Sequence, residues 1–106
     1  MIVEHLRSSG RDVIILSFKE ILGFAGNCLE LVGKTDLGKE QLVLAISQTA
    51  LKSLDRKKIQ KLEKHLKIAS IDVSNIEHVG GGGIRCMLAG VHLPPKTIAD
   101  WQSILD

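Results

Sequence analysis

The sequence predicts an α+β fold whose strands run in mixed directions. Apolar runs of strand length flank a polar turn, a helical pattern occupies the middle of the chain, and further apolar runs follow it. This order differs from a series of repeated βαβ units, which would give a parallel sheet. The 106 residues allow one domain at most. Because only 3% of the residues are aromatic, the core must be built from Leu, Ile, Val and Ala.

The first third of the chain predicts a helix end and two strands. Residues 3–10 (VEHLRSSG) are typical of the end of a helix that closes at Gly10. Residues 12–18 (DVIILSF) are apolar and rich in β-branched side chains, which predicts a buried strand. Residues 24–34 (FAGNCLELVGK) contain an alternating pattern that predicts a second strand.

The middle of the chain predicts a hairpin followed by a helix. Residues 34–40 are polar and contain a glycine, which is typical of a turn, and residues 41–47 form the return strand. Residues 48–66 predict a helix in two pieces. Ser53 or Asp55 would cap the second piece, since either side chain can accept a hydrogen bond from a free backbone N–H.

The last third predicts two strands and a terminal helix. Residues 67–73 form the first strand, and residues 84–93 form the second after a run of glycines. Prolines end this strand. Residues 96–106 predict a short terminal helix with Thr97 as its cap.

Charge and composition argue against several classes of function. The net charge of +2 is too small to indicate nucleic-acid binding. The basic residues concentrate in residues 52–67, where interleaved acids indicate the solvated face of a helix. No apolar segment approaches the roughly 20 residues that span a bilayer, and no signal peptide is predicted. We therefore expect neither a nucleic-acid nor a membrane partner.

The two cysteines, Cys28 and Cys86, show neither a CxxC pairing nor the spacing of a zinc site. We expect reduced thiols in a cytoplasmic protein, with no metal and no cofactor.

The most distinctive stretch is HVGGGGIRCML, residues 78–88. A phosphate-binding loop would need Gly-Lys-Ser/Thr opening a helix, whereas Gly83 is followed by Ile-Arg-Cys-Met and a predicted strand. A mobile loop is the plain alternative, because glycine adopts backbone conformations that other residues avoid. Spacing alone favours the mobile loop.

A reactive thiol at Cys86 is the third interpretation. A lone cysteine in an apolar strand is usually a small buried side chain, and cysteine catalysis needs a base. On a strand, His92 would lie roughly 20 Å away, while His78 could fold back towards the thiol. The remaining candidates are interpreted as structural: His5 and His65 as exposed helix residues, and Cys28 as a core residue.

Three stretches together resemble a known superfamily. FAGNCLELVGK, LVLAISQTALKSL and KLEKHLKIASIDVSNIEHVGGGGIRCMLAGVHLPP are similar to the C-terminal part of the guanidine-modifying, or pentein, enzymes. That group holds arginine deiminases, amidinotransferases and dimethylargininases. The sequence looks closest to the bacterial citrulline-utilisation-type hydrolases. The resemblance runs from about Val13 to Pro94.

The resemblance implies an architecture of ββαβ modules arranged as an α/β propeller. Residues 1–20 would be the end of one module, residues 21–95 the last module, and residues 96–106 a terminal helix. The chain would then be a C-terminal fragment of such a propeller.

The resemblance also implies a site. Cys86 would be the nucleophile that attacks the guanidinium carbon of a small guanidino compound. The loop that approaches the substrate would consist of Gly80, Gly81, Gly82, Gly83 and Arg85. Gly26 and Asn27 would hold a structural turn rather than touch the substrate. The family's catalytic histidine and its guanidinium-binding carboxylates lie in earlier modules, so this chain would carry the nucleophile without its base.

Two functions follow as hypotheses. The chain is a truncated guanidine-modifying hydrolase or amidinotransferase that is not competent alone and needs the missing N-terminal modules. Alternatively, it is a non-catalytic remnant of that fold that self-associates as a homo-oligomer to cover its open edges.

Overall fold

A mixed three-stranded sheet forms the centre of the computed structural model, which describes residues 1–94 and 96–105. The strands are β1 (Leu29–Lys34), β2 (Glu40–Ser47) and β3 (Lys67–Ile71), in the order β1-β2-β3. β1 pairs antiparallel with β2, and β2 pairs parallel with β3. The predicted α+β class with mixed strand directions is therefore confirmed.

Short helices surround the sheet. They are α1 (Ile2–Ser8), α2 (Phe18–Leu22), α3 (Gln48–Ser53), α4 (Arg56–Glu63), α5 (Ser74–Gly80), α6 (Ile84–Met87) and α7 (Ile98–Leu105). α3 and α4 connect β2 to β3, which a parallel pair requires because its strands cannot be joined by a tight hairpin. The two-piece helix is thus confirmed. Asp55 is the N-cap of α4, although its side chain makes no capping hydrogen bond.

Glycines lie in the turn after α1 and in the turn between β1 and β2, as the sequence predicts. Gly10 follows α1 with a φ of +82°, and its N–H donates to the Arg7 carbonyl (3.0 Å). Between β1 and β2, the Gly38 N–H donates to the Thr35 carbonyl (2.8 Å) and Gly38 has a φ of +78°. Both glycines occupy the left-handed region, where a side chain would be strained. The predicted terminal helix is α7, and Asp106 lies outside the described residues.

The strand predicted over residues 12–18 is wrong. Residues 11–17 have no regular secondary structure, and Phe18 already begins α2. The Ser17 hydroxyl accepts from the Glu20 N–H (3.3 Å), and the Glu20 carboxylate accepts from the Ser17 N–H (2.7 Å). This reciprocal capping box starts a helix inside the apolar run. The half-buried Leu16 packs against the core without joining a strand ladder.

The strand predicted over residues 84–93 is also wrong. Ile84–Met87 form the single-turn helix α6, and residues 88–94 contain no strand. Two other strands are shorter than predicted. The strand predicted over residues 24–34 begins only at Leu29, and the strand predicted over residues 67–73 ends at Ile71. α5 was not predicted.

The core lies between β2, α3 and the turn before β1. Its buried cluster consists of Ala25, Leu44, Ile46, Ala50 and Leu54. All five are aliphatic, as the composition predicts. Among the described residues, no helix is both long and apolar enough to cross a membrane.

Candidate functional site

The glycine run connects α5 to α6. Gly81 caps the C-terminus of α5 with a φ of +71°, and its N–H donates to the Glu77 carbonyl (3.0 Å). Gly83 is the N-cap of α6. The loop is therefore a defined connection between two helices, with hydrogen bonds at both of its ends.

Asn27 supplies the cap of α6 from a distant part of the sequence. Its Oδ1 accepts from the Gly83 N–H (2.9 Å) and from the Cys86 N–H (3.4 Å). Its backbone carbonyl accepts from the Arg85 N–H (3.2 Å). The first turn of a helix leaves N–H groups without intrahelical partners, and here Asn27 binds those of Gly83 and Arg85. The Cys86 N–H is shared between Asn27 and the Gly83 carbonyl (3.2 Å).

The same asparagine contacts the candidate nucleophile. The Asn27 Nδ2 donates to the Cys86 Sγ (3.3 Å). Because Oδ1 accepts from two backbone N–H groups, the amide can only be oriented with its NH2 group towards the sulfur. Cys86 is exposed, so its thiol is open to solvent while one N–H donor faces it.

Close packing explains two of the glycines. A Cβ at Gly82 would lie 2.8 Å from the Cys86 Sγ, and a Cβ at Gly83 would lie 3.1 Å from the Asn27 Oδ1. Gly80 has open space around its Cα. The loop thus passes directly beside the thiol at Gly82 and beside the amide at Gly83.

Arg85 turns away from its neighbour in the chain. Its Nε donates to the Cys28 carbonyl (2.8 Å), so the side chain ties α6 to the turn that precedes β1. Burial raises the pKa of the Cys28 thiol, and the positive charge of Arg85 opposes that rise. Gly26, in the same turn, is not tightly packed, since a Cβ there would lie 3.7 Å from Leu16.

A helix, α6, follows the glycine run, although the sequence argument against phosphate binding assumed a strand there. The expectation that no helix follows the glycines is wrong, because α6 begins at Ile84. However, Asn27 already binds the N–H groups of Gly83, Arg85 and Cys86. A phosphate would have to displace it, and the lysine of a phosphate-binding loop is absent from this motif.

Sequence reasoning missed the buried pair Ser47 and Glu77. The Ser47 hydroxyl, at the end of β2, donates to the Glu77 Oε2 (2.7 Å) in α5. The signals that could have found α5 are local. The Asp72 carboxylate accepts from the Ser74 N–H (3.1 Å) at its start, and this bond is the main cause that lowers the pKa of Asp72.

No histidine in the described parts of the chain forms a hydrogen bond with the Cys86 thiol. His65 pairs with Asp12 (3.1 Å), and this contact is the main cause that lowers the pKa of Asp12. His78 is exposed on α5. The strand-based distance to His92 no longer applies, because residues 86–92 are not a strand. Within the described ranges, no three His, Cys, Asp or Glu side chains are grouped to bind a metal.

The family model of the eukaryotic N,N-dimethylarginine dimethylhydrolases matches residues 1–93. The chain belongs to this family. The predicted relationship to the pentein superfamily is therefore confirmed, and dimethylargininases are one of its groups. A placement nearest to the citrulline-utilisation hydrolases stays a prediction. Comparison with curated proteins found no match. Comparison with solved structures found none either.

Proposed function

We propose that Cys86 is the nucleophile of a guanidine-modifying hydrolase whose substrates are methylated arginines. The observation that carries the proposal is the Asn27 amide, which caps α6 and directs an N–H at the Cys86 sulfur. This arrangement holds an exposed thiol beside Gly82, where a Cβ would lie 2.8 Å from the Cys86 Sγ. Membership of the dimethylarginine dimethylhydrolase family supports the substrate class.

The proposed reaction proceeds through a covalent intermediate. The thiolate attacks the guanidinium carbon and forms a C–S bond, and the bond from that carbon to the methylated nitrogen breaks as this nitrogen takes up a proton and leaves as the amine. Water then attacks the thiouronium carbon, the C–S bond breaks, and a ureido product leaves the regenerated thiolate. A thiolate suits this carbon because it is nucleophilic near neutral pH. The Asn27 N–H would hold the sulfur in place.

We further propose that residues beyond this sequence complete the site. A general base and carboxylates that bind a guanidinium group are needed. In the part of the chain that the structure describes, no histidine is hydrogen-bonded to the thiol. Residues 21–95 would then act as one ββαβ module of a larger propeller, and the chain alone would not turn over substrate.

The test compares two alkylating reagents of similar size. A haloacetamidine carries a cation that mimics guanidinium, whereas iodoacetamide is neutral. We expect Cys86 to react with both reagents faster than free cysteine does, because the Asn27 N–H donates to the sulfur, with no label at position 86 in a Cys86→Ser variant. Incubation with N,N-dimethylarginine should give no product from this chain alone. Rates at Cys86 no higher than those of free cysteine would contradict its assignment as the nucleophile.

A second candidate is a non-catalytic protein that self-associates. The accessible surface of 8653 Å² favours it, because a folded monomer of this mass exposes about 5800 Å². Large apolar side chains lie on that surface, among them Phe18, Leu22 and Val32. Ordinary reactivity of Cys86 together with a stable oligomer would favour this function over the hydrolase.

A further inference from the structure

α5 carries an unusual buried residue. Within this helix, all of which the structure describes, Glu77 is the only buried side chain, at 4% exposure. The apolar residues Ile76 and Val79 are exposed at 47% and 87%. α5 is therefore held to the protein through a carboxylate, and its apolar side chains face outwards.

A directed chain of hydrogen bonds fixes this carboxylate. The Ala50 N–H, in the first turn of α3, donates to the Ser47 Oγ (3.1 Å). Since that oxygen is accepting one bond, its proton is free to donate to the Glu77 Oε2 (2.7 Å). Ser47 is 1% exposed, so water does not compete for the bond.

Glu77 also stands at the start of the glycine loop. Its backbone carbonyl accepts from the N–H of Gly81, the left-handed residue where the chain leaves α5. The other end of the loop is fixed by Asn27, which binds Gly83 and Cys86. The glycine run is thus bonded at both ends, through Gly81 to the last turn of α5 and through Gly83 to Asn27.

Burying the Glu77 carboxylate costs more free energy than burying an apolar side chain at the same position would. Among the described residues, the Glu77 Oε1 is buried without a hydrogen-bond partner. An incompletely bonded polar group in the interior opposes folding, and an apolar side chain would avoid that cost. What an apolar side chain cannot provide is a bond of fixed direction to Ser47.

We propose that Glu77 is a positioning residue for Cys86. Through Ser47 it sets where α5 ends, and through the glycine loop it holds the Cys86 sulfur at the Asn27 amide. The inference rests on the proposed function only in that Cys86 is the reacting group.

Amide hydrogen exchange of the full chain tests the proposal. The readout is the protection of residues 82–87 divided by the protection of residues 42–46 in β2. Glu77→Ala and Ser47→Ala should lower this ratio by about tenfold, the scale of a lost hydrogen bond to a buried charged group. Glu77→Gln should keep the ratio within about twofold of the wild type, because its amide oxygen still accepts from Ser47.

Ile59→Ala is the matched control, since Ile59 packs against the core from α4. It should lower protection in both segments together and leave the ratio unchanged. If Glu77→Ala does not fold, Ser47→Ala carries the test alone. An unchanged ratio in the folded alanine variants, or an equal loss in Glu77→Gln, would overturn the proposal. Exchange requires no substrate, so this result is independent of the alkylation test of Cys86.

Discussion

Asn27 connects the turn before β1 to the glycine loop. Its side chain is hydrogen-bonded to Cys86, which lies 59 residues further along the chain. Its two functional groups do different things: the oxygen caps α6 and the nitrogen faces the sulfur. Substitutions can therefore separate capping from the contact with the thiol.

Asn27→Asp should slow alkylation of Cys86 by iodoacetamide roughly tenfold, because a carboxylate oxygen would replace the N–H donor and repel the thiolate. The capping oxygen is kept. Asn27→Ala should instead lower the free energy of unfolding by about 1–2 kcal/mol, the usual effect of losing a helix cap. The control is Asn75→Ala on the exposed face of α5, which should change neither quantity. Equal alkylation rates for Asn27→Asp and wild type would show that the amide does not act on the sulfur.

Gly80 and Gly82 form a natural pair of test positions. Gly82→Ala would place a Cβ 2.8 Å from the Cys86 Sγ, so we expect it to lower the free energy of unfolding by about 1–3 kcal/mol and to displace the thiol. Gly80→Ala meets open space at the end of α5 and should be neutral or stabilise by about 0.4–1 kcal/mol. Urea denaturation of both variants gives the comparison. Similar effects at the two positions would argue against close packing at Gly82.

The sequence alone predicted the candidate nucleophile through its resemblance to a family, and it singled out the glycine loop around it. It did not predict which groups contact Cys86. Asn27 and Cys86 are brought together only by tertiary structure, and neither has a local pattern that indicates the other. Ser47 and Glu77 escaped notice for the same reason, since 30 residues separate them.

At the scale of whole elements, Glu20 joins three parts of the structure. Its carboxylate caps α2 at Ser17, accepts from the Asp55 N–H at the start of α4 (3.3 Å), and pairs with the Lys58 Nζ (2.6 Å). The side chain is 3% exposed. The hydrogen bond from Lys58 and then that from the Ser17 N–H lower the pKa of Glu20 from 4.5 to about 2.

This pKa predicts an acid-dependent contribution to stability. Folding lowers the pKa, so the contribution is complete above pH 4.5 and is lost as the pH falls towards 2. The coupling energy between Glu20 and Lys58, from a double-mutant cycle with Glu20→Gln and Lys58→Met, should be favourable at pH 7 and should fall to a small fraction of that value by about pH 2. Denaturant unfolding at several pH values measures it. A coupling energy that does not change with pH would contradict the assignment.

Two elements were predicted wrongly because apolar composition does not distinguish a strand from other buried segments. In residues 12–18 the capping box of Ser17 and Glu20 starts α2. In residues 84–93 the cap comes from Asn27, which lies far away in the sequence. The hairpin and the helices after it were predicted correctly, since their turn and cap residues lie within a few positions of the elements they end.

The whole molecule is more open than its length suggests. Its radius of gyration is 17.7 Å, whereas a compact domain of this length has about 13 Å. Part of the exposed surface is apolar. On α2, Phe18 and Leu22 lie one turn apart and are 86% and 79% exposed. Such a surface favours association with another protein surface.

Phe18→Glu should therefore reduce self-association, because it replaces one of these two exposed apolar side chains with a charged one. Gln60→Glu is the control, as it makes the same change in charge at an exposed polar position on α4. Sedimentation velocity over a range of concentrations measures the effect. A wild-type chain that remains a folded monomer at high concentration would contradict the proposed self-association.

The cap of α6 has a consequence for how the chain folds. A helix of one turn does not nucleate by itself, because ordering its first residues costs more than its few hydrogen bonds return. α6 is capped only when Asn27 contacts Gly83 and Cys86, which lie 56 and 59 residues further along the chain. Closing so large a loop belongs to the cooperative transition of the whole domain and not to local helix formation. The environment of the Cys86 thiol should then appear in the same step as the sheet, which makes this sulfur a reporter of the folded fraction.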